Sequence, residues 1–166
     1  MSDENIVIPP IRIRSKSIFN LQELYDSVIG FLRDHSYYII QKGQTEKTKS
    51  DGKEIETEWK VTRKIDDYLR FQIKIHFLFL RLNNILVEED GKKVKKQAAE
   101  IQIMINSLLE KDYYKKFKTR EFLRILYERY IIRKRIKTTE DKLRDETNQI
   151  IDLIKNNLKY VGRLKT

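Results

Sequence analysis

A chain of 166 residues, 40% apolar and 36% charged, is long enough to bury roughly 70% of its unfolded surface around one core, and its recurring Ile, Leu, Phe and Tyr exclude a disordered polymer. With no cysteine it can form no disulfide, Cys-ligated metal site or thiol nucleophile, which fits a reducing cytoplasm. The net charge of +10 points to anionic partners.

The N-terminus, MSDENIVIPPIRIR, places acids first and prolines within its apolar part, unlike a secretory signal. Ile6 to Arg14 alternates weakly around Pro9-Pro10, so residues 1–15 form an edge strand or an arm. Asn20 is placed to cap a helix, with Glu23 at the reciprocal position. Leu21, Leu24, Tyr25, Val28 and Leu32 then carry that helix to about His35, where the histidine serves the helix end.

From Tyr37 the period becomes two. Tyr37 to Thr48 is a strand, and Asp51-Gly52 a tight turn. Ile55, Thr57, Trp59 and Val61 share one face of the next strand, with Glu54, Glu56, Glu58 and Lys60 opposite. Those glutamates suit lysines on neighbouring strands better than a divalent cation, so no metal is assigned. Asp66-Asp67 belongs to a turn. Leu69, Phe71, Ile73, Ile75, Phe77 and Phe79 give the strongest alternation, against Arg70, Gln72, Lys74 and His76. Ile85 to Glu89 is a short strand, Asp90-Gly91 a second turn, and Ala99, Ile101, Ile103 and Ile105 line the last strand.

The remainder is helical, with Thr119 capping one helix to about Arg135 and Thr138 or Thr139 capping another. Leu143, Thr147, Ile150, Ile154, Leu158 and Val161 form the stripe of that second helix. The expectation is a single α+β domain over 1–166: the arm or edge strand at 1–15, a helix plus antiparallel sheet at 20–110, and C-terminal helices at 119–162. The five-stranded antiparallel meander packs on the N-terminal helix and two C-terminal helices. This order resembles helix-grip folds of the START and Bet v 1 type, which implies a ligand cavity between sheet and terminal helix. The most apolar run, Ile75 to Leu80, is far shorter than the roughly 20 residues of a membrane span, so no transmembrane segment is expected.

Enzymatic patterns are missing: there is no P-loop, dinucleotide fingerprint or zinc spacing, and His35 and His76 lack the partners that acid–base chemistry needs. No catalytic residue and no cofactor are assigned. The charge is the informative feature. Between Lys111 and Lys137 stand eleven cations against three acids, Asp112, Glu121 and Glu128. Lys115, Lys116, Lys118, Arg120, Arg124, Arg129, Arg133, Lys134, Arg135 and Lys137 are suited to phosphates, with Tyr113 and Tyr114 available to stack on bases.

A non-enzymatic protein engaging structured RNA or a ribonucleoprotein, the ribosome included, is the leading expectation. Two others compete: a subunit docking an acidic protein partner, and a carrier of an apolar ligand. The apolar side of the same segment carries Leu123, Leu126, Tyr127 and Tyr130, extended by Phe122, Ile125 and Ile132, and Tyr127, Tyr130, Ile131 and Ile132 read as core.

The run DGKEIETEWKVTRKIDDYLRFQIKIHF, with EEDGKKVK, EIQIMINSLLEKDYYKKF and YERYIIRKRI, resembles small archaeal proteins of unassigned activity over Lys16 to Tyr160. The resemblance implies an intracellular, cysteine-poor archaeal origin and carries no functional residue.

Overall fold

A computed structural model describes residues 3–159. Five antiparallel strands form one sheet: β1 (Asp3–Phe19), β2 (Tyr38–Lys49), β3 (Gly52–Lys64), β4 (Leu69–Glu89) and β5 (Lys92–Lys111), in the order β1-β5-β4-β3-β2. β2 to β5 run as a meander of consecutive neighbours, and β1 closes the far side against β5. The N-terminal segment is therefore an edge strand that continues past residue 15 to Phe19. It tolerates Pro9 and Pro10 because the ladder with β5 is irregular there, its register shifting between Ile6 and Ile8 and again between Ile8 and Ile11.

The structure corrects the separate strand at Ile85–Glu89. β4 is continuous, and the interruption is a bulge between Leu80 and Asn83, where Arg81 adopts a positive φ of 53°. A bulge inserts a residue without ending the pairing, which an alternation pattern reads as a break. The two turns form as expected. Asp90 and Gly91 both have positive φ, 50° and 75°, as the mirror-image hairpin turn requires. Gly52 takes φ 137° beside the backbone of Arg81, where a Cβ would lie 2.9 Å from the Arg81 carbonyl carbon.

Helix α1 (Leu21–Asp34) starts at Asn20, whose side chain accepts the Glu23 N–H at 3.1 Å. It ends at His35, whose Nδ1 donates to the Phe31 carbonyl at 2.8 Å. The C-terminal region departs from expectation. Helix α2 is only Glu121–Leu126, a π-helical turn follows over Tyr127–Ile131, and α3 runs from Arg133 to Lys159. Arg120, not Thr119, is the N-cap of α2, without a side-chain hydrogen bond. Thr138 and Thr139 lie inside α3, where the Thr138 hydroxyl donates back to the Lys134 carbonyl at 3.0 Å. Threonine offers its hydroxyl equally to a cap or to the preceding turn, so its presence alone does not fix a helix start. Val161 and residues 160–162 of the expected helix fall outside the described residues.

The helices cover one face of the sheet. Ile55, Trp59, Val61, Phe71, Ile73, Ile75, Phe77, Phe79, Ile101, Ile103 and Ile105 are buried against Leu24, Val28 and Leu32 of α1 and Leu143, Ile150 and Ile154 of α3. Tyr25, Trp59 and Phe77 meet ring to ring at 4.8–5.4 Å, and Phe77 and Phe79 stack at 6.2 Å. Side chains thus occupy the space around Phe77 where a helix-grip cavity would need to open. The opposite face carries the alternate residues, mostly half-exposed, and no helix among the described residues lies on it.

A buried ion pair fastens β3, the end of α1 and α3 to one another. Arg63 of β3 meets Glu146 of α3 at 3.1 Å and donates to the His35 carbonyl at 2.7 Å. Tyr37 donates its hydroxyl to the other oxygen of Glu146 at 2.6 Å. Burial, and then this hydrogen bond, pushes the Tyr37 phenol well above its ordinary range. The Arg63 guanidinium also lies over the Tyr37 and Phe71 rings, at 4.5 and 4.8 Å. Truncating one partner leaves the other charge buried and alone. Glu146→Ala should therefore cost about 3–5 kcal/mol of unfolding free energy, measured by urea titration; a loss within 1 kcal/mol would mean that water replaces the carboxylate.

Candidate nucleic-acid interface

The segment that follows β5 turns the end of the sheet. Asp112 takes φ 51°, its N–H donates to the Tyr68 carbonyl at 2.8 Å, and its carboxylate accepts the N–H groups of Lys116 and Phe117 at 2.7 and 3.2 Å. Phe117, Tyr68 and Tyr127 form a ring cluster with centroids 5.4–6.1 Å apart. These contacts fix the start of the basic stretch before α2 begins.

α2 and the π turn are held by buried charge. Lys111, the last residue of β5, alternates onto the helix-covered face, and its side chain is 8% exposed. Its ammonium lies 3.0 Å from Asp3 of β1 and 2.9 Å from Glu128 in the π turn. Tyr68 donates its hydroxyl to the other Glu128 oxygen. Arg124 reaches Asp3 at 3.3 Å and Glu121 at 3.5 Å. Burial disfavours the charged form of Lys111, but its hydrogen bonds to Glu128 and Asp3 outweigh this and raise its pKa. Burial likewise opposes ionisation of Asp3, and the hydrogen bond and charge of Lys111, then Arg124, override it and hold the carboxyl below its usual range.

This network removes part of the expected site. Arg124 is committed to acids. Arg135 pairs with Asp66, whose carboxylate also caps the β3–β4 turn by accepting the Tyr68 and Leu69 N–H groups. Lys116 lies 3.7 Å from Asp67. Seven cations remain exposed, with no carboxylate within ion-pair distance among the described residues: Lys115, Lys118, Arg120, Arg129, Arg133, Lys134 and Lys137. Lys115 and Lys118 line one open cleft of about 390 Å³ with Phe117 and Arg124, and the acids Asp3, Asp112 and Glu121 line it too. Arg133 and Lys137, one turn apart on α3, share a side, and Arg129 lies over the Tyr130 ring at 5.9 Å.

Tyr113 and Tyr114 are not in that group. Tyr113 donates to the Asp66 carbonyl at 2.5 Å and lies under the Arg70 guanidinium at 4.8 Å, while Lys64 lies 5.4 Å from the Tyr114 ring. Lys64 and Arg70 alternate onto the helix-free face, so the two tyrosines sit there and the basic helices sit on the other side. Tyr114 is 58% exposed and can accept a stacking partner; Tyr113 is tied down.

The apolar side of α2 and the π turn corrects a second expectation. Ile132 is buried and Leu126 and Tyr127 are partly so, but Phe122, Leu123, Ile125, Tyr130 and Ile131 are 41–72% exposed. The inward positions are taken by Arg124, Tyr127 and Glu128, because the wide turn rotates the helix until its charged residues reach Lys111 and Asp3. Periodicity identified the stripe but not which side the salt bridges would claim.

Further cations were outside the sequence-based site. Arg12, Arg14, Lys60 and Lys74 lie on the helix-free face, also without a carboxylate partner among the described residues. Alternation placed Lys60 and Lys74 on polar faces; only the register shows that they adjoin. Glu54 pairs with Lys49, and Glu56 accepts from His76 at 2.8 Å. Among the described residues no three His, Asp or Glu side chains come together as a metal site, and no helix is long and apolar enough to cross a membrane. Comparison of the chain with protein-family models and with curated proteins gives no match.

Because the native Asp3 carboxyl sits below its ordinary pKa of 3.8, it contributes stability above that pH, lost as pH falls through the folded value. Asp3→Asn should lower stability at neutral pH and flatten the acid limb below pH 3.8, measured by urea unfolding across pH. An acid limb identical to that of the unsubstituted chain would show that Asp3 is not engaged.

Proposed function

We propose that this protein is a non-enzymatic binding protein that engages structured RNA or a ribonucleoprotein through its basic C-terminal segment. The observation that carries the reading is the set of seven exposed cations in no ion pair among the described residues, at Lys115, Lys118, Arg120, Arg129, Arg133, Lys134 and Lys137. Uncompensated positive charge disfavours the free protein, and its lysines and arginines gain when they displace the counterions condensed on the phosphates of a nucleic acid. Rigid mounting supports the same reading. The aromatic cluster and the Asp3–Lys111–Glu128 network hold the backbone of the segment, so phosphate contacts meet a pre-positioned surface. Both histidines are engaged in local hydrogen bonds, His35 at a helix end and His76 with Glu56, which suits structural roles.

The wild-type chain should bind structured RNA with an affinity that falls linearly in log salt. The triple substitution Arg129→Gln, Arg133→Gln, Lys134→Gln should make that slope shallower by about 2–3, at 0.7–0.9 per lost phosphate contact, with the fold intact by circular dichroism. A salt-insensitive affinity, or an unchanged slope in the variant, would overturn the reading.

A second reading has its own observation, the exposed Phe122, Leu123, Ile125, Tyr130 and Ile131. Phosphates do not reward aliphatic side chains, whereas a protein surface with an apolar centre and acidic rim suits apolar residues among cations. A ribonucleoprotein offers both chemistries. If the protein contact dominates, capture of partners on immobilised chain will survive nuclease treatment and be lost in Phe122→Ser, Ile131→Ser; capture that nuclease abolishes would leave the RNA reading alone.

A further inference from the structure

We infer that the helix-free face of the sheet is a second contact surface and holds an unpaired strand of RNA, its phosphates on Lys60, Lys74, Arg12 and Arg14 and a base on the ring of Tyr38. The inference rests on the reading above, but uses different residues on the opposite side of the sheet.

Register is the first observation. Lys60 of β3 and Lys74 of β4 are direct cross-strand partners. Residues so paired have Cβ atoms about 4.5–5.5 Å apart, and like charges there are destabilising. Both are half-buried, and neither has a carboxylate within ion-pair distance among the described residues. Glu58, next along β3 on the same face, is exposed and pairs with neither. Glu56 is taken by His76, Glu110 by Arg70, and Glu100 by Lys16 and Arg81. Apart from Glu58, the acids of this face are drawn to its two ends, and a like-charge pair stands between them.

The surroundings of that pair are polar and arranged in rows. Asn106 of β5 is the other neighbour of Lys74. The row beside it runs Leu108, Gln72, Thr62, Tyr38 across β5, β4, β3 and β2. Gln72 is 2% exposed, and its Oε1 is buried without a hydrogen-bond partner. A buried amide oxygen without a donor is a second uncompensated polar group in the row next to the lysines, lying beneath the surface that a ligand would touch. Tyr38, at the β2 end of this row, is 69% exposed. Arg12 and Arg14, partners of Met104 and Gln102, continue the cationic track onto β1. Strands lie about 4.8 Å apart, so β1 is about 10 Å from β4 and the track spans more than one phosphate.

The adjoining ammonium groups of Lys60 and Lys74, in no ion pair with Glu58 beside them, favour an anion here. The exposed Tyr38 ring in the row beside the two lysines favours a nucleotide whose base is free to stack, hence an unpaired strand and not a duplex.

The test uses the full chain, a fluorescein-labelled single-stranded RNA of about 12 nucleotides, and anisotropy titrations between about 50 and 300 mM KCl. Lys60→Gln, Lys74→Gln should weaken binding about tenfold at low salt and make the slope of log affinity against log salt shallower by about 1.4. Tyr38→Ala should weaken it about fivefold or more, with the slope unchanged. The thermal midpoint of the lysine variant should stay level or rise by about 1–3 °C, since the like-charge pair is gone, and this separates lost binding from lost folding.

Unchanged affinity and slope in the lysine variant, with loss in the Arg129, Arg133, Lys134 variant, would overturn this inference and leave the proposed function standing. Loss in the lysine variant alone would do the reverse. Equal competition by an oligoglutamate peptide of the same charge would replace the RNA strand by an acidic protein segment, and a wild-type chain that binds no RNA would remove both.

Discussion

The buried ammonium of Lys111 is the point on which the C-terminal half is organised. It ends the longest-paired strand of the sheet and is met by one carboxylate from β1 and one from the π turn. Burial disfavours an ammonium in that position, and the hydrogen bonds and charges of the two acids outweigh that cost. Three elements distant in sequence must therefore converge on one atom. A ladder from Asp3 to Phe19 seats β1 beside β5, and the convergence ties the start of that strand and the π turn after α2 to the sheet end.

This constraint divides the cations into two kinds. Lys111, Arg124 and Arg135 are matched to Asp3, Glu128, Glu121 and Asp66 and act as fasteners. Those that remain unmatched stand on both sides of the sheet, on the helices and on the open strands. A net charge of +10 is thus not one patch but two surfaces separated by a fastened core. Tyr113 and Tyr114 mark the border, since the chain passes through them from the open face to the helical layer.

Much of the architecture was legible because short-range rules governed it. Strict alternation in Leu69 to Phe79 and Ala99 to Ile105 identified which residues enter the core, and Asn20, Gly52 and Gly91 marked their local structures by chemistry that acts within a few residues. What was not legible depended on long-range pairing. The bulge at Arg81 looked like a strand end, and Thr119 and Thr138 looked like caps until tertiary contacts set the helix limits. The charged segment was the hardest part. A count of cations does not reveal that Asp3, over a hundred residues away, neutralises one of them, nor that Lys60 and Lys74 stand side by side.

The π turn at Tyr127–Ile131 shows what such pairing does to a helix. Counting back from the buried Ile132 in ordinary turns of 3.6 residues would bring Ile125 toward the sheet and carry Arg124 away from it. The wide turn holds one residue more, so every side chain ahead of it is re-phased by about 100°. The ionic lock and the apolar display are consequently one geometric event. Rewinding this turn with all its residues present would hide Ile125 and release the lock together, whereas deleting one residue along with the wide turn would leave both in their present phase.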